Sequence, residues 1–284
     1  MILNLYGICI VLGVAVAYIF LKKWVFVKNL AYGVSFKDWD DSLVWVGVGG
    51  LIGGRLYHVI DFWNFYSQNL DLIFQVWRGG LGIWGGILAG AAGLALYLAR
   101  KGRLSSKTYT SYLNIFALGL PLAQAIGRLG NFFNQELFGC ATNLQWGIYI
   151  NETLRPVASK SKSYYHPLFL YELILDIILF VVLLKINRAD LKKKVSPGKK
   201  TTPPKKFRIL LDLHSPGMPV FLTYMTGYAL IRILLEPLRI ESWRINLLNL
   251  SYPSICADFV GFPVAVLISI MVILVIYFWR TVLR

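Results

Sequence analysis

Charge is scarce in this sequence. Only 15% of its 284 residues are Asp, Glu, Lys or Arg, where soluble domains carry about a quarter. Set against 57% hydrophobic residues and a mean hydropathy of +0.59, that shortage excludes an ordinary soluble domain. Cysteine is nearly missing as well. Cys9, Cys140 and Cys256 have no C-x-x-C spacing and no partnering histidine pattern, which argues against a zinc site. A disulfide between Cys140 and Cys256 stays open, since both fall on one side of the topology described next. Histidine is limited to His58, His166 and His214. No internal repeat is visible, which weakens an inverted-repeat transporter.

What the chain has instead is apolar runs near the ~20 residues needed to cross a bilayer. Seven read as spanning helices: Ile2–Leu21, Leu43–Ile60, Gly80–Leu98, Leu113–Gly127, Leu168–Ile186, Pro219–Glu236 and Phe259–Trp279. The first has no basic residue before it, so it does not read as a cleaved signal peptide. Lys22 and Lys23 follow it, which places the N-terminus outside and the C-terminus in the cytoplasm. Of the 29 Lys and Arg, 20 fall in segments assigned inside and six in segments assigned outside. The expected architecture is therefore all-α and polytopic: one integral membrane domain over 1–284, about seven spans, an extracytoplasmic cap at 131–166 and a basic cytoplasmic loop at 186–216.

The net charge of +15 raises nucleic acid as a partner, but the clusters Lys192–Lys194, Lys199–Lys200 and Lys205–Lys206 have almost no interleaved aromatics. Anionic lipid on the inner face is the better fit, and no nucleic acid is expected. The segment Asp61–Trp77, with Phe62, Trp63, Phe65, Tyr66, Phe74 and Trp77, suits headgroup depth.

Ionisable residues inside spans are costly and by default functional. Arg55 and His58 sit at i, i+3 on the second helix, Glu172 and Asp176 at i, i+4 on the fifth, and Arg232 and Glu236 at i, i+4 on the sixth, followed by Arg239. With Arg128, this topology brings them to the outer half of the membrane, Asp176 deeper than the rest. Plainer readings stand beside this one: an ion pair locking helices for Arg232 and Glu236, snorkelling for Arg55, and a satisfied structural histidine for His58. The glycine run Gly79–Gly86 follows no strand, so it is no dinucleotide loop; it more simply permits close helix packing.

The densest cluster is Gly127-Arg128-Leu129-Gly130-Asn131-Phe132-Phe133-Asn134-Gln135-Glu136-Leu137-Phe138-Gly139. Arg128, Asn131 and Asn134 at i, i+3, i+6 would share one side of any helical continuation. A fixed guanidinium with amide donors beside it suits a phosphate held in low dielectric. A polar helix end capped by its asparagines is the alternative.

This stretch resembles the signature of the prolipoprotein diacylglyceryl transferase family, Gly-Arg-x-Gly-Asn-Phe-x-Asn-x-Glu-x-x-Gly, at every fixed position. The likeness extends to Tyr6-Gly7, Gly53-Gly54-Arg55, His166-Pro167 with Tyr171-Glu172, and Arg232-x-x-x-Glu236 with Arg239. It departs at Trp84, where many members carry a histidine discussed as catalytic, so the general base is in doubt. The basic loop has no counterpart in the pattern.

The resemblance implies a transferase of the bacterial inner membrane with its active site at the outer leaflet. It would move the diacylglyceryl group of phosphatidylglycerol to the lipobox cysteine of a prolipoprotein signal peptide, without metal or organic cofactor. Arg128 and Arg232 would clamp the phosphate, with Asn131, Asn134 and Glu136 orienting the glycerol. Tyr6 would meet the headgroup, Glu236 would fix Arg232, and His166 would assist. Arg55, Gly139, Arg239, Tyr171 and Glu172 complete the expected substrate contacts. Another phospholipid-using transferase, or a lipid transporter or flippase, remains an alternative from the residues alone.

Overall fold

The structure is a computed structural model describing residues 5–195, 219–240, 244–245 and 262–282. Seven long helices lie within the described residues: α1 (Leu5–Phe20), α2 (Phe36–Asp61), α3 (Ile83–Arg100), α4 (Ser106–Asn134), α5 (Leu168–Val195), α6 (Pro219–Leu235) and α7 (Val264–Val282). Among the described residues, three are long and apolar enough to cross a membrane: α1 with its π-helical extension Leu21–Phe26, α2, and α4. The protein is thus mostly helical, with membrane-competent spans.

Boundaries differ from the hydropathy reading where helices run on into polar sequence. Helix α4 reaches Asn134 instead of stopping near Gly127, and α5 reaches Val195, taking in the first part of the expected loop 186–216. Polar residues at a helix end satisfy its hydrogen bonds as well as apolar ones do, so hydropathy marks the apolar span and not the helix. Most of the basic loop, and Cys256, lie outside the described residues.

Contacts fall into two compact units, Ala31–Leu113 and the remainder, Met1–Leu30 with Asn114–Arg284. In the first, α2 and α3 pack along glycines. A Cβ built on Gly49 would lie 2.5 Å from the carbonyl oxygen of Ala89; on Gly53 it would overlap Ala89 Cβ and the Gly85 carbonyl. Small residues let helix backbones approach in this way. The glycine run of the sequence is here a packing device. Gly53→Ala should therefore cost about 1–3 kcal/mol through overpacking, read as a lowered unfolding midpoint in detergent micelles; an unchanged midpoint would mean that the helices slide apart freely.

The second unit joins α1, α4 from Asn114, α5, α6 and α7. Gly13 of α1 meets the carbonyl of Ala123 on α4, at 2.7 Å from a would-be Cβ, and Gly227 of α6 meets Leu179 of α5. Asn114 Oδ1 accepts from the backbone N–H of Phe221 at 3.0 Å, satisfying a donor in the first turn of α6. Between α4 and α5 the chain forms a small folded connection with a two-stranded ribbon, β1 (Ile148–Tyr149) against β2 (Tyr164–Tyr165). A second ribbon pairs β3 (Arg244–Ile245) with β4 (Phe262–Pro263). Cys140 is disulfide-bonded and Cys9 is free.

Candidate functional site: an arginine–glutamate cluster

Three helix ends in the second unit carry polar residues at helical spacing. On α4 these are Gln124, Arg128 and Asn131; on α5, Glu172 and Asp176; on α6, Tyr224, Tyr228 and Arg232, running on to Glu236. Spacings of three and four residues stack them on one side of each helix. The stripes meet. Arg128 Nη2 donates to Glu172 Oε1, which also accepts from Tyr228 Oη at 3.4 Å. Tyr224 Oη donates to Gln124 Oε1 at 3.2 Å, and its ring stacks on that of Tyr228 with centroids 6.1 Å apart. Arg232 Nη2 contacts Glu236 Oε2 at 3.2 Å.

Glu172 and Glu236 are each only 1% exposed. A carboxylate that deep is sustained only by partners, and each has an arginine. Donor capacity is left over: Arg128 Nε has no hydrogen-bond partner among the described residues. Arg239, one 3-10 turn beyond α6, lies within electrostatic reach of Arg232, Glu236, Glu172 and Arg128. Burial pushes its guanidinium below the ordinary value, and Arg232 beside it pushes the same way. Three guanidiniums thus gather around two paired carboxylates, with a third carboxyl, the fully buried Asp176, also within electrostatic reach of Arg128.

The end of the signature stretch forms the wall beside this cluster. Asn131 Nδ2 donates to Glu136 Oε1 at 2.8 Å, and the Glu136 N–H returns to the Asn131 carbonyl at 3.0 Å, closing the end of α4. Gln135 and Leu137 take positive φ, 50° and 55°, turning the chain back sharply. Gly139 then lies between two segments. Its N–H bonds the His166 carbonyl at 2.8 Å, it bridges Arg239, and Cys140 N–H bonds the Leu238 carbonyl at 3.1 Å. A Cβ on Gly139 would come within 2.7 Å of the Leu238 carbonyl and 3.1 Å of His166 Cβ. Glycine is required there by close approach on both sides.

Beyond that rung, His166 Nδ1 is 3.1 Å from Tyr171 Oη, which accepts from Trp146 Nε1 at 2.8 Å. Burial holds the His166 imidazole below its ordinary pKa. On the other flank Tyr6 of α1 packs on α4, its Cδ2 2.8 Å from a would-be Cβ on Gly130.

Arg55 belongs to the 31–113 unit, and its guanidinium donates to main-chain carbonyls. Nε donates to Ile73 O at 2.7 Å, Nη1 to Gly79 O and Gly80 O at 2.8 and 3.0 Å, and Nη2 to Leu72 O. Tyr66 lies under it with 5.1 Å to the ring centroid. Such a fork gathers a turn that includes Gly79 and Gly80 at positive φ. Arg55→Ala should accordingly expose residues 70–80 to limited proteolysis; an unchanged cleavage pattern would show that the turn holds without it. His58 packs against Phe62 and Tyr66 in the same unit. Asn134 is exposed at the last position of α4.

Gln124, Tyr224, Tyr228 and Trp146 join the cluster or its flank without having been singled out from the sequence. For the first three the signal was present, as i, i+4 steps from Gln124 to Arg128 and from Tyr224 through Tyr228 to Arg232.

A family model described as prolipoprotein diacylglyceryl transferase matches residues 1–281. Relatives named phosphatidylglycerol–prolipoprotein diacylglyceryl transferase include one from Fervidobacterium nodosum, 39% identical over 181 residues, 64% of this chain and 60% of the relative. One from Cutibacterium acnes is 39% identical over 189 residues, 66% and 61%, and one from Acaryochloris marina 34% over 214 residues, 75% and 69%. The matched region spans about three fifths of the first two relatives' length.

Proposed function

The chain belongs to the prolipoprotein diacylglyceryl transferase family, and from that premise we propose that it transfers the diacylglyceryl group of phosphatidylglycerol to the lipobox cysteine of prolipoproteins. In this reaction the cysteine sulfur bonds to the glyceryl carbon as that carbon's bond to phosphate oxygen breaks. The electron pair leaves with glycerol phosphate, and the thiol's proton passes to the departing phosphate monoester or to water. A phosphodiester with one negative charge becomes a monoester developing a second.

The observation that carries this reading is the convergence of Arg128, Arg232 and Arg239. Three guanidiniums converging at one place offer a singly charged diester both positive charge and hydrogen-bond donors. The charge that develops as the C–O bond breaks then meets donors already in position. Glu172 and Glu236 hold their arginines in place through the contacts described above. Asn131, Glu136 and exposed Asn134 line the approach, where they orient the glycerol headgroup. Tyr6 borders the same end of α4. A thiol of pKa about 8.5 is roughly 3% ionised at pH 7. Positive charge nearby favours the thiolate, so no histidine at Trp84 is needed for the sulfur to react.

The finer architecture belongs to this proposal too. Seven spans, N-terminus outside and C-terminus cytoplasmic, put the 131–166 cap and the cluster at the outer leaflet of the bacterial inner membrane, with the loop 186–216 facing the cytoplasm. The lysine and arginine asymmetry supports it, and a disulfide at Cys140 suits the oxidising side. A cysteine introduced between Lys192 and Lys206 should be labelled only from the cytoplasmic side; labelling from outside intact cells would reverse the orientation and with it the side of the cluster.

The activity is tested by mass spectrometry of a lipobox peptide incubated with the purified protein and phosphatidylglycerol. A peptide heavier by one diacylglyceryl unit, absent when its cysteine is replaced by serine, is the expected product. Lipid movement across sealed vesicles with unmodified peptide would make the protein a lipid transporter instead.

A further inference from the structure

Resting on that reading, we infer that Trp146, through Tyr171, fixes His166 as a neutral imidazole with its proton on Nε2, so that His166 serves as a hydrogen-bond donor and not as the base for the thiol. The argument is one of donors and acceptors. An indole N–H can only donate, and Trp146 Nε1 points at Tyr171 Oη from 2.8 Å. A phenol oxygen hydrogen-bonds mainly in its ring plane, through one O–H and one facing lone pair. With the lone pair occupied by Trp146, its proton goes to the other neighbour, His166 Nδ1 at 3.1 Å. An Nδ1 that accepts cannot carry the proton, which leaves it on Nε2.

Two further features support the same state. Burial holds the ring below its ordinary pKa, which favours the neutral form. Protonating it would also put a second N–H against an oxygen that already accepts from Trp146. The backbone of His166 is fixed on both sides, its N–H to the Cys140 carbonyl at 2.9 Å and its carbonyl to Gly139 N–H at 2.8 Å. Gly139 in turn bridges Arg239. His166 therefore sits two backbone rungs from Arg239, and in this role its Nε2–H serves a phosphate oxygen, where a bare nitrogen would meet like lone pairs. No proton leaves His166 in this role; the thiol proton passes to the departing phosphate monoester or to water.

Trp146 is 58% exposed, so Trp146→Phe removes the N–H with little packing loss. The test is ring-15N histidine NMR of the full chain in detergent micelles. With three histidines in the sequence, His58→Gln and His214→Gln variants assign the signals. Expected is a single tautomer for His166, imine-type at Nδ1 and pyrrole-type at Nε2, and a mixture of tautomers in Trp146→Phe and in Tyr171→Phe. Pyrrole-type Nδ1 in the unaltered protein would overturn the proposal, as would a tautomer indifferent to both variants.

Turnover supplies the second arm. A glutamine amide N–H falls near Nε2 and an asparagine N–H near Nδ1, so His166→Gln should retain more turnover than His166→Asn. Trp146→Phe should lose about fivefold to tenfold in kcat, the scale of one neutral hydrogen bond. Asparagine matching or exceeding glutamine would point to a base. The NMR result stands whichever reaction the protein performs, so failure of the tautomer and failure of the transferase reading are told apart.

Discussion

Arg128→Lys should lose nearly as much turnover as Arg128→Ala, each by a factor of about a hundred to a thousand, the scale for removing one preorganised donor to a developing anion. The reason lies in geometry more than charge. Arg128 already gives Nη2 to Glu172, and Nε remains without a partner among the described residues. A planar guanidinium can keep the glutamate on one edge while offering the other to phosphate. An ammonium on a shorter stem has one centre and cannot span both. Steady-state turnover with saturating lipid, on variants whose unfolding midpoints match the parent, makes the comparison. If lysine kept most of the activity, Arg128 would act as a point charge and the two-edged geometry would be irrelevant.

The helices were legible in the sequence because lipid-facing composition is a coarse and redundant signal: twenty apolar residues in a row admit few readings. Their ends were not. Helix α4 runs seven residues past the expected Gly127 because the polar residues from Arg128 to Asn134 continue its hydrogen bonding, and hydropathy ignores that. The site was half legible. Arg128, Asn131, Glu172, Arg232, Glu236 and Arg239 announced themselves as polar groups in or beside apolar runs, which are expensive unless paired.

Which carboxylate takes which arginine was hidden. Arg232 and Glu236 are neighbours on one helix, but Glu172 could have faced any of several cations, and 44 residues separate it from Arg128. Arg55 shows the opposite limit. An arginine in a span reads the same whether it faces a headgroup or a turn of its own chain, and only the fold reveals the four carbonyls around it. Tyr224 and Tyr228 went unremarked because tyrosine is an ordinary residue of apolar helices; the successive four-residue steps from Tyr224 to Tyr228 to Arg232 carried the information.

Glu172 yields the second large effect. Its side chain is 2% exposed and that of Arg128 22%, so the pair is mostly out of water. Removing one partner of a buried pair strands the other charge and costs about 3–5 kcal/mol, whereas replacing both with apolar side chains of similar volume is often neutral. Glu172→Ala should therefore depress the unfolding midpoint strongly, and Arg128→Met with Glu172→Met together should recover most of that loss while leaving turnover absent. Glu172→Gln should sit between, since its amide oxygen can still accept from Arg128 and Tyr228 but brings no counter-charge. The three variants separate two jobs that one salt bridge performs. If the double variant were as unstable as Glu172→Ala, the pair would be a stabilising element of the helix packing in its own right. If instead the double variant turned over lipid, the phosphate would be held by Arg232 and Arg239 without Arg128. The expected pattern, stability regained and activity gone, is what the proposed function requires of a charge pair whose guanidinium is kept in the fold to meet a phosphate.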